Sequence, residues 1–328
     1  MLRLPRLRFL SPTSPREAAA MARDGGATTM LVAGGTDLYP NLKRRQFAAD
    51  TLVGLTQLPE LHQVRGDAAS GFELGAAVTL SVAARHPGLH TGYAEAAGLV
   101  SSPPLRNAGT IGGNLCVDTR CNYYNMTYEW RKAAGFCIKK DGDICLVAPG
   151  SPRCWALSSS DTAPVAIALG ATVVLAAPDG ERELPVAALY RDDGIDYLAK
   201  QPWEVVTALR LPPLDGVRTA YVKLRRRGSI DFPIAGCGVA LRMDGDVVES
   251  ARVVLSAVAS HPVEAHAADQ LLTGARLDEE TIAAAAEAAA KPAKPLDNAD
   301  LSYVWRKKMV RVVVEQALRK AAARGDLS

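Results

Sequence analysis

The sequence predicts an α+β protein of more than one domain, and three patterns carry this prediction. Short apolar runs alternate with Ala-rich segments up to about residue 211, which is typical of strands interleaved with short helices. The turn-forming residues 212–216 then break the alternation and mark the best domain boundary. Strand patterns come first and helical patterns last in the remainder, so we expect a separate C-terminal α+β unit.

The first predicted elements lead into a glycine-rich loop. Residues 14–17 form a capping box with Pro at the first helical position, so a short helix is predicted over residues 18–23. Residues 28–33 are predicted to be a buried strand, and this strand runs directly into the loop 34–37. Residues 51–55 are predicted to form another short strand.

Two glycine-rich loops are candidates for binding an anion. In residues 34–37, and again in residues 109–114, glycines allow backbone N–H groups to approach a phosphate closely. Neither loop has the Walker A or the G-x-G-x-x-G pattern, and each alone is equally compatible with a plain tight turn. Two such loops in one chain favour a dinucleotide whose pyrophosphate they clamp.

The middle of the chain is predicted to contain further strands and short helices. The predicted strands are residues 72–77, 172–177, 181–184 and 204–211, and the second and third of these form a hairpin. The predicted helices are residues 80–85, 93–100 and 162–169. Thr79 caps the first of these helices, and Asp161 caps the last.

The C-terminal part is predicted to form a three-stranded antiparallel sheet followed by a helix bundle. Asp244 and Gly245 are a two-residue hairpin signal between two apolar runs. The predicted strands are residues 218–224, 236–243 and 247–257. The predicted helices are residues 261–272, 279–290 and 299–324.

Charge and hydropathy exclude several classes of protein. A net charge of +3 over 328 residues does not argue for nucleic-acid binding, and the short basic runs 43–45 and 225–227 are typical of a solvated surface. No apolar run approaches the roughly 18 residues needed to span a membrane. The first residues lack the apolar core and cleavage site of a signal peptide. We therefore expect a cytoplasmic protein with neither a membrane segment nor a nucleic-acid partner.

Cysteines are concentrated in one segment of the chain. Five of the six fall between Cys116 and Cys154, and a reducing cytosol favours a metal centre over disulfides there. The spacings from Cys121 through Cys137 and Cys145 to Cys154 fit neither a zinc ribbon nor the cysteine run of bacterial ferredoxins. Four thiolates are the number that a [4Fe–4S] cluster needs, while zinc and unbound or redox-paired thiols stay open as alternatives.

The other cysteines and the histidines are interpreted as structural. Cys116 abuts the second glycine loop and Cys237 lies in a predicted core strand, so both are read as small hydrophobic residues. The five histidines lie outside the glycine loops and the cysteine-rich segment, and no H-E-x-x-H motif occurs. We therefore predict no catalytic side chain in this chain, and we expect any flavin to be held non-covalently.

Four blocks of the sequence, in order, resemble a known family. They are residues 31–38, 110–114, 160–164, and 221–226 with Asp231. Over essentially the whole chain they resemble the FAD-binding medium subunit of the xanthine oxidase, or molybdenum hydroxylase, family. Most members pass from the second block to the third within a short stretch. Here residues 115–159 separate them, and the four cysteines make this insertion similar to that of 4-hydroxybenzoyl-CoA reductase β subunits, which carry an extra [4Fe–4S] cluster.

The resemblance implies a plan of domains. A two-subdomain FAD-binding domain of the PCMH-like type would comprise residues 1–55 and residues 56–215. A C-terminal domain of a three-stranded antiparallel sheet and a helix bundle would comprise residues 216–328. The iron–sulfur insertion would occupy residues 117–157, and it is called the cysteine insert below.

The resemblance also implies which residues bind cofactors. Those expected to hold the FAD pyrophosphate are Val32, Ala33, Gly34, Gly35, Thr36, Asp37, Leu38, Thr110, Gly112, Gly113 and Asn114. Asp161 is expected to bond the FAD ribose or nearby polar groups, and Lys223 to lie beside the isoalloxazine. Because Gly35 replaces the Asn of some relatives, pyrophosphate contact there would be through the backbone alone. The expected ligands of a [4Fe–4S] cluster are Cys121, Cys137, Cys145 and Cys154.

The implied function is electron transfer inside a larger enzyme. The chain would relay electrons from a ferredoxin-like donor through its cluster and FAD toward a small [2Fe–2S] subunit and a large molybdopterin subunit, in a dimer of heterotrimers. The implied overall reaction is reductive removal of the para hydroxyl group of 4-hydroxybenzoyl-CoA. The alternative is the flavin subunit of an oxidative hydroxylase, of the aldehyde, purine or CO dehydrogenase type, that has acquired a cluster. A zinc-loop scaffold without flavin is a remote alternative.

Overall fold

A computed structural model describes residues 2–213 and 216–325 of the chain. Two residues of the predicted boundary 212–216, Leu214 and Asp215, lie outside the described residues. The described part folds into three sheets of three, five and four strands, with helices around them. This is the α+β architecture that the sequence predicts.

The N-terminal unit is a small parallel sheet flanked by two helices. Its strands are β1 (Arg8–Leu10), β2 (Thr29–Val32) and β3 (Thr51–Gly54), in the order β1-β3-β2. Its helices are α1 (Pro15–Asp24) and α2 (Leu38–Lys43). The Ser14 hydroxyl accepts a hydrogen bond of 3.2 Å from the Glu17 amide, so the predicted cap of α1 is confirmed. The sequence pattern missed β1 and α2, which are only three and six residues long.

The second unit is a five-stranded antiparallel sheet with short helices. Its strands are β4 (Val64–Asp67), β5 (Gly71–Gly75), β6 (Thr172–Ala177), β7 (Gly180–Pro185) and β8 (Val205–Leu211), in the order β4-β5-β8-β6-β7. Its helices are α3 (Leu80–Arg85), α4 (Thr91–Leu99), α5 (Pro103–Ala108), α6 (Ile111–Leu115), α7 (Asn122–Asn125), α8 (Tyr128–Ala133) and α9 (Thr162–Ala168). Helices α7 and α8 belong to the cysteine insert, which lies between α6 and α9 along the chain.

The C-terminal unit is an antiparallel sheet covered by three helices. Its strands are β9 (Val217–Leu224), β10 (Ala235–Asp244), β11 (Val247–Ser256) and β12 (Val263–Glu264), in the order β12-β11-β10-β9. Its helices are α10 (His266–Leu272), α11 (Glu279–Ala290) and α12 (Tyr303–Ala322). Apolar residues of β10 and β11 pack with residues of all three helices in one core.

Two predicted boundaries in this unit are wrong. The sheet has four strands rather than three, because Val263 pairs with Leu255 in positions predicted to be helical. Val263 and Glu264 form this fourth strand, so the helix starts only at His266. The last helix begins at Tyr303 rather than residue 299, where the Ser302 hydroxyl caps it by accepting from the Trp305 amide at 3.3 Å.

Helix α9 joins the C-terminal sheet to the rest of the molecule. All seven of its residues are buried, and it packs against β10, β11, α4 and α6. A methyl group on Gly238 of β10 would lie 2.8 Å from the Val165 amide nitrogen, so only glycine allows this close approach. The helix begins directly after Asp161, which fixes that carboxylate at the junction of the domains. Among the described residues, no helix is both long enough and apolar enough to cross a lipid bilayer.

Candidate functional site

A groove of about 330 Å³ opens where the three units meet. All of the first-loop residues predicted for FAD line it, from Val32 to Leu38. From the second loop, Thr110, Gly113 and Asn114 line it, and Asp161 lines its inner end. The remaining two residues predicted to contact FAD, Gly112 and Lys223, lie behind these walls.

The two glycine loops meet along one edge of the groove. A methyl group on Gly34 would lie 1.8 Å from the Ala108 carbonyl oxygen, so the first loop packs directly on the backbone that leads into the second. Gly35 has φ +68°, a left-handed conformation that favours glycine. Gly34 is therefore required by a close backbone contact, and Gly35 is favoured by its left-handed conformation.

The two neighbouring glycines of the second loop have different surroundings. Gly112 packs on the end of β5, where its amide donates to the Ala76 carbonyl at 2.9 Å and a methyl group would lie 2.8 Å from the Ala76 Cβ. A methyl group on Gly113 would meet only the Thr110 hydroxyl, at 2.9 Å. That hydroxyl caps α6 by accepting from the Gly113 amide at 3.1 Å. Gly113 is therefore the open, groove-facing glycine, and Gly112 is a packing residue.

Asn114 connects the second loop to the start of α9. Its side-chain oxygen accepts from the Ser160 hydroxyl at 2.9 Å and from the Thr162 hydroxyl at 2.7 Å. The Thr162 amide donates to the same oxygen at 3.2 Å. These bonds hold together the two points at which the main chain leaves for the cysteine insert and returns from it.

Asp161 and Lys223 form a buried ion pair at the inner end of the groove. Their oxygen and nitrogen are 2.8 Å apart, and the two side chains are 3% and 1% exposed. The Tyr221 hydroxyl also donates to the Asp161 carboxylate at 2.8 Å, and Lys223 donates to the Leu99 carbonyl at 3.0 Å. Burial raises the pKa of Asp161, while the adjacent Lys223 and Tyr221 act in the opposite direction.

The structure brings together the four cysteines of the insert. Cys121, Cys137, Cys145 and Cys154 are buried, carry free thiols and line one cavity of about 10 Å³. Burial raises the pKa of Cys121 to about 12 and that of Cys154 to about 11. In residues 2–213 and 216–325, no three His, Cys, Asp or Glu side chains are grouped so as to hold a metal ion. The rest of the cavity wall comprises Tyr123, Tyr124, Ile138, Lys139, Leu146, Val147 and Ala156.

The other two cysteines lie apart from this cavity. Cys116 is half-buried and lines the groove. Cys237 is fully buried in β10 and belongs to the C-terminal core. Neither lines the cysteine cavity, and the reading of both as packing residues stays a prediction.

The cysteine insert is closed at its neck and attached to the groove. The amides of Arg120 and Leu157 each donate to the other's carbonyl, at 2.8 and 2.7 Å, so the chain leaves and returns at one point. The Arg120 guanidinium bonds the Asp37 carboxylate and lies 4.4 Å from the centre of the Phe232 ring. Burial lowers the pKa of Arg120 to about 10, which leaves it charged at neutral pH.

Several groove residues lie outside every motif found in the sequence. Asp118 and Tyr197 line the inner wall, and Ile230 and Phe232 line the outer wall from the loop between β9 and β10. They come from separate segments that meet only in the folded protein, so no local spacing could indicate them. Arg120, which bonds Asp37 from the cysteine insert, was missed as well, because it lies in a polar stretch where a charged residue is unremarkable.

Comparison with known proteins agrees with this architecture. Residues 5–214 match the family described as the FAD binding domain in molybdopterin dehydrogenase. Residues 219–321 match the family described as the CO dehydrogenase flavoprotein C-terminal domain. A solved structure of carbon monoxide dehydrogenase from Hydrogenophaga pseudoflava superposes with a TM-score of 0.80 at 28% identity, covering 98% of this chain and 99% of that one.

Curated relatives extend over nearly the same length. The carbon monoxide dehydrogenase medium chain of Hydrogenophaga pseudoflava is 29% identical over 328 residues, covering 98% of each chain. The aldehyde oxidoreductase FAD-binding subunit PaoB of Escherichia coli K12 is 32% identical, covering 85% of this chain and 90% of that one. The two glycine loops that line the groove lie within the residues that match the FAD-binding domain. The chain therefore belongs to the family of FAD-binding medium subunits of molybdenum hydroxylases.

Proposed function

We propose that this chain is an electron-transfer subunit that holds FAD in the groove and a [4Fe–4S] cluster in the cysteine cavity. The observation that carries the proposal is that four buried cysteines line one cavity, in an insert attached to the wall of the groove. Four cysteine thiolates are the usual ligand set of such a cluster. The two sites therefore suit a chain of redox centres inside one subunit.

The groove supports FAD binding through its shape and its polar walls. Its volume is within the range of small-molecule sites, and its glycine edge leaves the main chain accessible at Gly113. Gly34, Gly35, Thr36 and the second loop would hold the pyrophosphate. Because the Asp161 carboxylate already bonds Lys223 and Tyr221, these three would act as one fixed polar group at the inner end. Bound FAD supplies the exchange between one-electron and two-electron transfer.

The cysteine cavity supports a cluster through its donors. The four sulfurs share an otherwise largely apolar wall, and the Ala156 amide donates to the Cys154 sulfur at 3.4 Å. Hydrogen bonds to sulfur and exclusion of solvent are the protein's means of tuning an iron–sulfur centre. Because the thiol pKa values are raised when the site is empty, cluster assembly would release protons from these residues.

We further propose that the subunit works with two partners, a large molybdopterin subunit and a small [2Fe–2S] subunit. The similarity to a medium chain over nearly its full length supports this assembly. The named relatives are a carbon monoxide dehydrogenase and an aldehyde oxidoreductase, which favours an oxidative hydroxylase as the complete enzyme.

The cysteine insert favours a second candidate for the complete enzyme. This is a reductase of the 4-hydroxybenzoyl-CoA type, in which a ferredoxin-like donor would deliver electrons through the cluster. Single electrons from such a donor would enter at the insert and leave by way of the groove. The two candidates share the same subunit and cofactors, and differ in the direction of electron flow.

The test is cofactor analysis followed by turnover of the complex purified from its native host. We expect one FAD and an iron and sulfide content that exceeds the needs of a [2Fe–2S] partner by about four of each per copy of this chain. Absence of the excess iron would overturn the cluster, and absence of flavin would overturn the assignment of the groove. Oxidation of CO or aldehydes with an acceptor dye supports the oxidative enzyme, whereas dehydroxylation of 4-hydroxybenzoyl-CoA with a low-potential donor supports the reductase.

A further inference from the structure

One buried ion pair has a partner in each of the two cavities. Lys139 lines the cysteine cavity, and Asp118 lines the groove. Their nitrogen and oxygen are 2.7 Å apart, and each side chain is 6% exposed. The pair therefore forms a direct polar connection between the wall of one site and the wall of the other.

The Lys139 ammonium is held by a complete set of acceptors. Besides Asp118, it donates to the Thr119 hydroxyl at 2.5 Å and to the Gly194 carbonyl at 2.6 Å. A lysine has three N–H donors, so none is left for solvent. Two tyrosine rings flank the charge, Tyr124 from the cysteine cavity at 4.8 Å and Tyr197 from the groove at 5.5 Å. The cation is thus fixed between the two sites.

Asp118 has one acceptor that the protein leaves unused. Its Oδ1 bonds Lys139, whereas its Oδ2 is buried and meets no donor at hydrogen-bonding geometry. The Tyr124 hydroxyl lies nearby, and burial and then the Asp118 charge raise the pKa of that tyrosine. A buried carboxylate oxygen without a donor is costly, so the Asp118 carboxylate depends on the adjacent Lys139 charge for its stabilisation. The unpaired oxygen therefore belongs to Asp118, which lines the groove and forms an ion pair with Lys139 of the cysteine cavity.

We propose that the Lys139–Asp118 pair electrostatically couples the two redox sites, so that each charge sets the reduction potential of both. This inference rests on the proposed function for its cofactors, FAD in the groove and the cluster in the cavity. The ammonium stabilises the electron added at either site, and the carboxylate opposes it.

The opposite charges of the pair give the proposal a distinctive signature. Replacing Lys139 by Met removes the positive charge and leaves Asp118 unpaired, so both sites become harder to reduce. Replacing Asp118 by Asn removes the negative charge and leaves Lys139, so both become easier to reduce. Loss of packing or local unfolding has no reason to change sign between the two variants. Each charge of the pair acts strongly because both side chains are almost fully buried.

The insert supplies a matched control in Arg131. This residue is also a buried cation in the insert, where it donates to the Asp141 carboxylate at 2.8 Å and to the Lys140 carbonyl at 3.2 Å. It lines neither the cysteine cavity nor the groove. Arg131→Met therefore removes a comparable charge and comparable packing without touching the connection.

The experiment is a redox titration of the assembled complex, following the cluster by EPR and the flavin by visible absorbance. At the wild-type midpoint, we expect Lys139→Met to lower the reduced-to-oxidised ratio of the cluster by about tenfold and that of the flavin in the same direction. Asp118→Asn should raise both ratios. Lys139→Arg, which keeps the charge, should recover most of the loss, and Arg131→Met should shift neither ratio by more than about twofold.

The possible results distinguish failure of the electrostatic coupling from failure of the cofactor assignments. Shifts of the same sign in Lys139→Met and Asp118→Asn, or an equal shift in Arg131→Met, would overturn the coupling while leaving the cofactors in place. Normal iron content together with unchanged reduced-to-oxidised ratios in Lys139→Met would also overturn the coupling. Wild-type protein with flavin but no excess iron would overturn the cluster and, with it, the coupling between two redox sites.

Discussion

The groove and the cysteine cavity are built in different ways. The groove is formed mainly by main chain, where two glycine loops from separate units lie against each other and the close approach of Gly34 to Ala108 leaves no room for a side chain. The cavity is formed by side chains of a single insert, with four thiols as its distinguishing groups. The groove therefore depends on how units of the fold pack, whereas the cavity depends on which residues one segment carries.

This difference predicts different responses to substitution. A change in the groove should disturb packing where the two loops touch, as at Gly34, and cofactor binding where a loop is open to the groove, as at Gly113. A change at a cavity thiol should remove the cofactor while leaving the surrounding fold in place, because the insert is closed by its own neck. Four sets of variants test this contrast.

The largest effect is expected at the cavity thiols. Cys137→Ser should lose all of the roughly four irons assigned to the cluster, since a missing thiolate exposes iron to water and oxygen. Cys237→Ser is the control, because Cys237 lies in the C-terminal core and should cost only about 1 kcal/mol of stability. Iron and sulfide analysis of the complex checks both, and iron retained in Cys137→Ser would contradict the ligand assignment.

The next largest effect is expected at the glycine loops. Gly34→Val should prevent normal folding, because its Cβ would overlap the Ala108 carbonyl. Gly113→Val should fold but lack FAD, because its side chain enters the groove and meets only the Thr110 hydroxyl. Flavin content and circular dichroism separate the two results. A Gly113→Val protein that keeps stoichiometric FAD after gel filtration would show that this loop does not hold the cofactor.

A smaller effect is expected at the buried ion pair of the groove. Lys223→Met leaves the Asp161 charge buried without its partner, which should cost about 3–5 kcal/mol at pH 8. Burial already raises the pKa of Asp161, so the folded variant binds a proton more readily than the unfolded chain does. Its stability should therefore rise as the pH falls toward the range in which Asp161 protonates.

Thermal unfolding of the holoprotein at pH 8 and at pH 5.5 measures this difference. The double variant Asp161→Asn/Lys223→Met carries no buried charge at either position, so it should recover part of the loss at pH 8 and show a weaker pH dependence. A Lys223→Met protein that is equally stable at both pH values would show that Asp161 is not the source of the penalty.

The smallest effect is expected where the insert contacts the groove. Arg120→Met removes the bond to Asp37 and the contact with Phe232, and should weaken FAD binding by about tenfold while iron content stays unchanged. Arg153→Met is the matched control, because Arg153 bonds Asp192 at 2.7 Å on another side of the insert. Fluorescence titration of flavin measures both. Equal losses in the two variants would mean that the insert stabilises the groove only in a general way.

Sequence patterns predicted the local features of the groove and missed its long-range ones. The strand β2 and the loop after it are contiguous, so an apolar run followed by glycines is enough to indicate them. The roles of individual loop residues as FAD contacts stay predictions. Tyr197 and Phe232 could not be found in this way, because they reach the groove from distant segments whose approach is set by tertiary packing.

In the cysteine cavity too, sequence patterns indicated the local features and missed the long-range contacts. Clustering in the sequence indicated which four cysteines meet, because all of them lie in one insert. The connection from Lys139 to Asp118 was not visible, since a lysine near cysteines is normally a surface residue. Strand β12 was missed for a related reason, because two residues gain strand geometry only from the neighbour they pair with. Short elements and buried ion pairs are decided by contacts that no local pattern contains.

The paired amides and carbonyls of Arg120 and Leu157 have a consequence for how such a subunit could arise. Because the main chain departs and returns at neighbouring points, the segment between them could be added or removed by a single insertion or deletion without redirecting the strands on either side. A single insertion of this kind would give a flavoprotein the four cysteines proposed here to bind a second redox centre. Inserting residues 121–156 at the same point of a relative that lacks them would then be a way to engineer a second electron-transfer site into that protein.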